Sequence, residues 1–218
     1  MDKSGRDVKT HRIYKNKKGK RIIGVTTALR ILDKPALIAW AWDLGMQGID
    51  WIKFKDDKAE IGRLLHRMLF CYNKGIEINT DYYTKSQINL AKICFQKYTE
   101  WEKEHKVKII LLETPSISEK YQYGGTFDKY CLLDGILTQI DYKTGKAIYK
   151  EFYYQLAAYK QLIEENYGKV EQNLILRLGR NELEGFEVRL ISNKRLKIGF
   201  RIFKNCLKIC KDMKTFDI

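Results

Sequence analysis

A chain of 218 residues with 44% hydrophobic residues, 12% aromatics and only 2 prolines is long enough for one sizeable core and too apolar for a disordered segment. No run approaches the roughly 18 apolar residues of a membrane span, and Met1 to Lys20 carries eight Lys/Arg without an apolar stretch, so neither a membrane segment nor a secretory signal is expected. The 41 Lys/Arg against 27 Asp/Glu leave a formal charge of +14, which favours a polyanionic partner, although a lysine-rich coding bias gives the same excess.

In chain order, the first 20 residues read as a basic arm, with a turn at Lys17–Lys20. Ile22, Ile23 and Val25 suggest a short strand, with Thr26-Thr27 placed to cap the next element. Asp33-Lys34-Pro35 has the form of a helix start, and Leu37, Trp40, Ala41 and Leu44 would share the inward face behind it. Asp56 or Asp57 is placed to cap a second helix, with Ile61, Leu64, Leu65, Met68 and Leu69 as its apolar stripe. Thr84-Lys85-Ser86-Gln87 is a capping box that opens a third helix running towards His105.

The pattern changes at Val107. Lys108 to Thr114 is a short apolar run of strand type, and Tyr123 to Leu133 and Ile136 to Tyr142 flank Asp134-Gly135, a strong hairpin signal. Tyr149 to Tyr167 has helical spacing, and Leu174 to Leu178 and Phe186 to Ile191 read as two more strands. A helix over about Asn193 to Lys214 sets Leu196, Phe200, Phe203, Leu207 and Cys210 on one face. Lys197, Arg201, Lys204, Lys208 and Lys211 form a cationic rail beside them. The outline is α/β with one core: a central mixed sheet flanked by helices, preceded by a mainly helical part over 21–106. Five cysteines without a CxxC imply reduced thiols and a cytoplasmic setting, and Cys210 falls in the apolar stripe of its helix.

Chemistry concentrates around Asp141-Tyr142-Lys143. On a strand, Asp141 and Lys143 share a face, so a carboxylate able to hold a divalent cation sits beside an ammonium able to orient or activate water. The triplet alone says little, because Asp7-Val8-Lys9, Asp56-Asp57-Lys58 and Asp212-Met213-Lys214 also match; only Asp141 and Lys143 end an apolar strand. Asp128 lies six residues before Asp134, and Asp141 six after Gly135, so the two acids are near-opposite across the hairpin. Like charges so placed call for a cation, or else one turns to solvent or pairs with Lys129 or Lys143. Glu113, at the end of the preceding strand, is a third candidate, and an oxygen-rich set suits Mg²⁺ or Mn²⁺. His66 lies mid-helix one turn after Gly62, and Gln155 and Tyr159 stack one turn apart on the helix after the Asp-Tyr-Lys strand.

Gly124-Gly125-Thr126-Phe127-Asp128, Ile140-Asp141-Tyr142-Lys143-Thr144-Gly145 and Tyr154-Gln155-Leu156-Ala157-Ala158-Tyr159 resemble, in order, the core motifs of RecB-like and phage-type exonucleases of the PD-(D/E)XK superfamily. Val25-Thr26-Thr27, Leu37 to Trp40 and Gly62 to His66 are similar to weaker upstream elements, so the resemblance spans about Arg21 to Tyr159. It implies a restriction-endonuclease-like sheet, Asp128 and Asp141 as metal ligands, Lys143 as the catalytic lysine and His66 as a further ligand. It matches Glu113 to an acid before the G-x-x-D strand, and Gln155 and Tyr159 to a helix that orients the site and contacts DNA. With only Cys206 and Cys210 near the C-terminus, no iron–sulfur cluster is expected. The resulting expectation is one nuclease domain over 1–218 that degrades single- or double-stranded DNA from its ends with Mg²⁺ or Mn²⁺. Lys197, Arg201, Lys204 and Lys208 would track phosphates. Trp40, Trp42 and Trp51 suit frayed bases, though core packing is the plainer expectation for most of them. A recombination or single-strand-binding protein is a conceivable partner, and the source would be a phage or mobile element. An internal-cutting enzyme on the same core, an inactive DNA-binding protein and an RNA substrate are the alternatives.

Overall fold

The computed structural model describes residues 12–32 and 34–216; Asp33 and most of the basic arm lie outside them. The chain runs β1 (Tyr14–Lys15), β2 (Arg21–Gly24), α1 (Val25–Leu29), α2 (Pro35–Met46), α3 (Trp51–Lys74) and α4 (Lys85–Lys103). It continues through β3 (Val107–Ser118), β4 (Tyr123–Leu133), β5 (Ile136–Thr144), α5 (Lys150–Asn166), β6 (Gln172–Leu178), β7 (Phe186–Leu190) and α6 (Asn193–Phe216). The strands form one mixed sheet in the order β1-β2-β4-β5-β6-β7, with β3 also paired to β4. The pairs β2–β4 and β5–β6 are parallel and the rest antiparallel.

Local chemistry explains most boundaries. Thr84 accepts from Gln87 N while the Gln87 side chain accepts from Thr84 N, completing the capping box of α4. Pro35 stands in the first turn of α2, where its missing N–H costs nothing. Asp134, with φ +51, and Gly135, with φ +86, make the two-residue hairpin turn. Three expectations are corrected. Helix α3 begins at Trp51, because Asp50 rather than Asp56 or Asp57 accepts from Ile52 N and Lys53 N at 3.0 and 3.1 Å. Thr26 and Thr27 lie inside α1, whose N-cap is Gly24. Strand β3 continues through Pro115 to Ser118; it pairs with β4 alone, so a proline costs it no second ladder.

The core has two sides. Leu65, Leu69, Tyr98, Ile140, Tyr142 and Leu176 pack between the sheet and α3–α4. Tyr123, Phe127, Tyr159, Leu162 and Phe203 pack between it and α5–α6. Lys129 is fully buried on the α3–α4 side, where its Nζ donates to Asn73 Oδ1 at 2.9 Å and Tyr98 Oη at 2.5 Å. Glu102 completes that network, accepting from Tyr98 and lying 3.6 Å from Lys129. Helix α2 departs from expectation: Leu44 is its sole buried residue among those described, and Leu37, Ile38 and Trp42 are exposed. No described helix is long and apolar enough to cross a membrane.

Candidate active site

The site forms where the sheet is incomplete. β3 lies along one edge of β4 throughout, and β2 and β5 share the other. β2 pairs with Tyr123 and Gly124, and β5 with Lys129 to Leu133. Gly125 to Asp128 therefore has no strand beside it there among the described residues. Asp128 fills this gap with its side chain: Oδ2 accepts from Tyr142 N at 2.8 Å, taking the place of a backbone carbonyl. Strand alternation also breaks here. Phe127 and Tyr130, three residues apart, both enter the α5-side core, whereas Lys129 reaches α3 and α4. On β3, the residue between the pairs Leu112↔Lys129 and Thr114↔Phe127 is Glu113, which therefore stands opposite Asp128. Its φ of +42 is a left-handed conformation that costs a residue with a Cβ about 1 kcal/mol or more. Extending the β4–β5 register by one places Asp141 opposite Asp128. Three acids thus come from three adjacent strands.

Helix α3 supplies the fourth group. His66 Nδ1 lies 3.1 Å from Glu113 Oε1 and 3.5 Å from Asp128 Oδ1. Gly62, one turn earlier, permits the approach of helix to strand, since a Cβ there would stand 3.3 Å from Thr144 Oγ1. Burial lowers the basicity of the imidazole, but the Asp128 and Glu113 carboxylates outweigh it and lift the pKa to about 9. Asp141 is buried, and desolvation raises its carboxyl to about 6 despite Lys143. Lys143 Nζ lies 2.6 Å from Asp141 Oδ2, a close ion pair, while the buried Asp141 Oδ1 has no hydrogen-bond partner among the described residues. Burial opposes the ammonium of Lys143, but Asp141 and Asp128 more than compensate and raise its pKa.

This donor set fits a cation. His66, Glu113 and Asp128 each offer a ligand atom within 4.8 Å of the others. Beside them, the buried Asp141 carboxylate pairs with Lys143 through Oδ2 and leaves Oδ1 without a hydrogen-bond donor, an oxygen free to face a cation. Asp141 stands outside the compact group of three, held by its ion pair to Lys143.

Part of this chain has curated relatives. It is 34% identical over 160 residues to an ATP-dependent helicase/nuclease subunit from three strains of Streptococcus agalactiae, an alignment covering 60% of the chain. The chain spans only about 13% of the length of those relatives. No family model matches. A crystal structure of a candidate exonuclease from Eubacterium rectale superposes with a TM-score of 0.49 at 12% identity, covering 88% of this chain and 73% of that one.

The remaining residues singled out in the sequence divide in two. Gln155 Nε2 donates to Tyr159 Oη at 2.9 Å, and that hydroxyl feels the Asp128 and Asp141 carboxylates. Tyr159 is not a surface for DNA: it is 5% exposed, because Gly125 lacks a Cβ and its ring packs into that space. Its hydroxyl accepts from Gln155. Lys197, Arg201, Lys204 and Lys208 are exposed along α6, whereas Lys211 donates to Tyr121 O at 2.9 Å. Cys206 is buried, and the Cys210 thiol faces Ala28 O at 3.6 Å.

Lys129, weighed in the sequence as a partner for the hairpin acids, instead anchors β4 through Asn73, Tyr98 and Glu102, and one further position escaped the sequence. Arg177 donates to Gly145 O at 3.2 Å, bracing the turn that ends β5, where Gly145 has φ +118.

Proposed function

We propose that the chain is a divalent-metal-dependent nuclease of the PD-(D/E)XK type, one domain that hydrolyses DNA phosphodiesters from strand ends. The observation that carries this is the buried Asp141 carboxylate, paired with the Lys143 ammonium through Oδ2, unpartnered at Oδ1, and set beside Asp128. The likeness of the segment to relatives named helicase/nuclease supports the nuclease part, and the charge of +14 suits a polyanionic substrate. The three acids and His66 would hold Mg²⁺ or Mn²⁺, which when bound acts as a Lewis acid towards the scissile phosphate.

The chain's own residues set the rest of the chemistry. Without the ion, Asp141 and Asp128 raise the Lys143 pKa. As an ammonium it would orient the attacking water and stabilise negative charge as it builds on the phosphoryl oxygens, while that water, its pKa lowered beside the bound ion, would pass its proton to solvent. Gln155 donates to Tyr159 through Nε2, which leaves Oε1 to accept from that water. Tyr142 N fixes Asp128 and Lys143 neighbours Asp141, so both carboxylates are positioned before substrate arrives.

The test is degradation of end-labelled linear DNA and closed circular DNA in Mn²⁺, Mg²⁺ or EDTA, comparing wild type with Lys143→Ala. Metal-dependent loss of the linear substrate alone, at least a hundredfold slower in the variant, is the expected result. Cutting of the circle would reassign the chain as an endonuclease, and equal rates for wild type and variant would overturn the site.

A further inference from the structure

Helix α2 is the anomaly of the surface. From Pro35 to Met46 it carries one charged residue, Asp43. A helix so apolar around its circumference is normally buried, yet Ile38 and Trp42 are each 69% exposed and Met46 is 73% exposed. Such large adjoining apolar side chains differ from the singly scattered ones of ordinary surfaces. Trp40 and Leu44 turn to the other side, where Trp40 meets Phe54 at 5.8 Å and Leu44 is buried. The exposed stripe follows Lys34 at steps of four residues.

That end of α2 adjoins the site. Lys34 Nζ lies 3.9 Å from Glu151 in the first turn of α5. The next residue, Phe152, has Lys143 Nζ over its ring at 5.1 Å and Tyr149 against its edge at 5.6 Å. Tyr149 is 54% exposed, and Lys146 and Lys150 are exposed on the same turn between β5 and α5. Aromatic rings beside cations bind unpaired nucleotides, bases stacking on rings such as Trp42 and Tyr149 and phosphates meeting the cations, with Ile38 and Met46 adding apolar contact beside the indole. A second copy of the chain is the weaker occupant, since each copy carries +14.

We propose that the Ile38–Trp42–Met46 face of α2, with Lys34, Lys146 and Lys150 at its site-proximal end, is a stacking surface for unpaired nucleotides of the strand presented to Lys143. This rests on the nuclease reading and adds a substrate preference to it: a frayed or single-stranded end over an intact duplex. The binding is sequence-tolerant, because every base has a face to stack.

The test measures binding by full-length protein carrying Lys143→Ala in EDTA, using fluorescence anisotropy with a labelled 20-nucleotide oligothymidine and a blunt hairpin duplex. Ile38→Ser and Trp42→Ser are compared with the parent, thermal unfolding confirming that these surface variants fold. Loss of one stacked base corresponds to about a five- to 150-fold drop in affinity. The expected result for Trp42→Ser is a drop of at least fivefold for the single strand and less than twofold for the duplex, with a smaller loss confined to the single strand for Ile38→Ser. Unchanged single-strand affinity, or an equal drop for both DNAs, overturns the proposal while leaving the nuclease reading intact. A shift from dimer to monomer by light scattering, with DNA affinity unchanged, makes the face a self-association surface and also overturns it. If the parent binds neither DNA, the nuclease reading itself fails, and this proposal with it.

Discussion

Replacing Gly125 by alanine probes the packing on which the site depends. A Cβ there would lie 2.7 Å from Tyr159 Cε1 and 3.0 Å from both Leu162 Cδ1 and Val25 Cγ2. These neighbours are 5%, 0% and 1% exposed, so none is a loose side chain that can swing away. Overpacking of this kind costs about 1–3 kcal/mol, and the smaller unfolded-state entropy of alanine returns roughly 0.5–1 kcal/mol. Midrange values leave a net loss of about 1 kcal/mol, which corresponds to a fall in Tm of about 2–4 °C for a chain of this size. Gly124→Ala should cost at least as much, because its Cβ would stand 2.3 Å from Tyr14 Cγ and 2.5 Å from Tyr14 Cβ, stem atoms that move only with the β1 backbone, and Tyr14 Oη is held by Thr126 Oγ1 at 3.0 Å. Differential scanning calorimetry in EDTA should therefore show a lower Tm than wild type for both variants. Because Tyr159 accepts from Gln155, the Gly125 variant should also lose nuclease rate beyond its loss of folded protein. A Gly125→Ala protein as stable as wild type would refute the claim that glycine is needed there for close packing.

Three further outcomes follow from the same geometry. His66 has a folded pKa of about 9, above its unfolded value of 6.5, so its stabilising contribution is complete below pH 6.5 and disappears as pH rises through 9. Metal-free Tm should fall over that window, His66→Gln should flatten the fall, and Mn²⁺ should raise Tm most at its alkaline end, where the imidazole no longer holds a competing proton. Lys129→Met strands Glu102 beside Tyr98 and should cost about 3 kcal/mol in denaturant unfolding, with at least half recovered in Lys129→Met/Glu102→Gln. Glu113→Asn, suited to φ +42 but lacking the charge, should keep wild-type Tm in EDTA while losing most of the Mn²⁺-induced rise; an undiminished rise would remove Glu113 from the ligand set.

The chemistry-bearing hairpin was legible because its signals are local. Asp134-Gly135 sets the register by itself, and six residues on either side bring Asp128 and Asp141 opposite each other. The capping box of α4 is equally local. The start of α3 was not, since Asp50, Asp56 and Asp57 are all competent caps by residue type and only the backbone distinguishes them. For α2, apolar spacing implied a buried face and was silent on whether anything covers the rest. The break in alternation at Asp128 escaped for a related reason: period-two reasoning assumes an unbroken pleat, whereas a left-handed Glu113 opposite Asp128 interrupts it.

That interruption determines what the acids can do. With an unbroken pleat and a complete ladder, Tyr142 N would bond to a backbone carbonyl, and Asp128 would project from one face of the sheet. By standing in for the missing carbonyl, Asp128 lies in the plane of the sheet. It is thus within reach of His66 on the α3 side while remaining electrostatically joined to Asp141 and Lys143, which neighbours Phe152 on the α5 side. Gly124 and Gly125 bring Tyr14 and Tyr159 into close contact with the strand leading to this gap, and buried Lys129 fixes the strand beyond it. The strained Glu113, the glycines and the buried lysine all lie within a few residues of one incomplete stretch of β4 or directly opposite it. Each carries a local cost in strain, lost side-chain packing or charge burial, and their concentration there is what a preorganised cation site requires and a purely structural sheet does not.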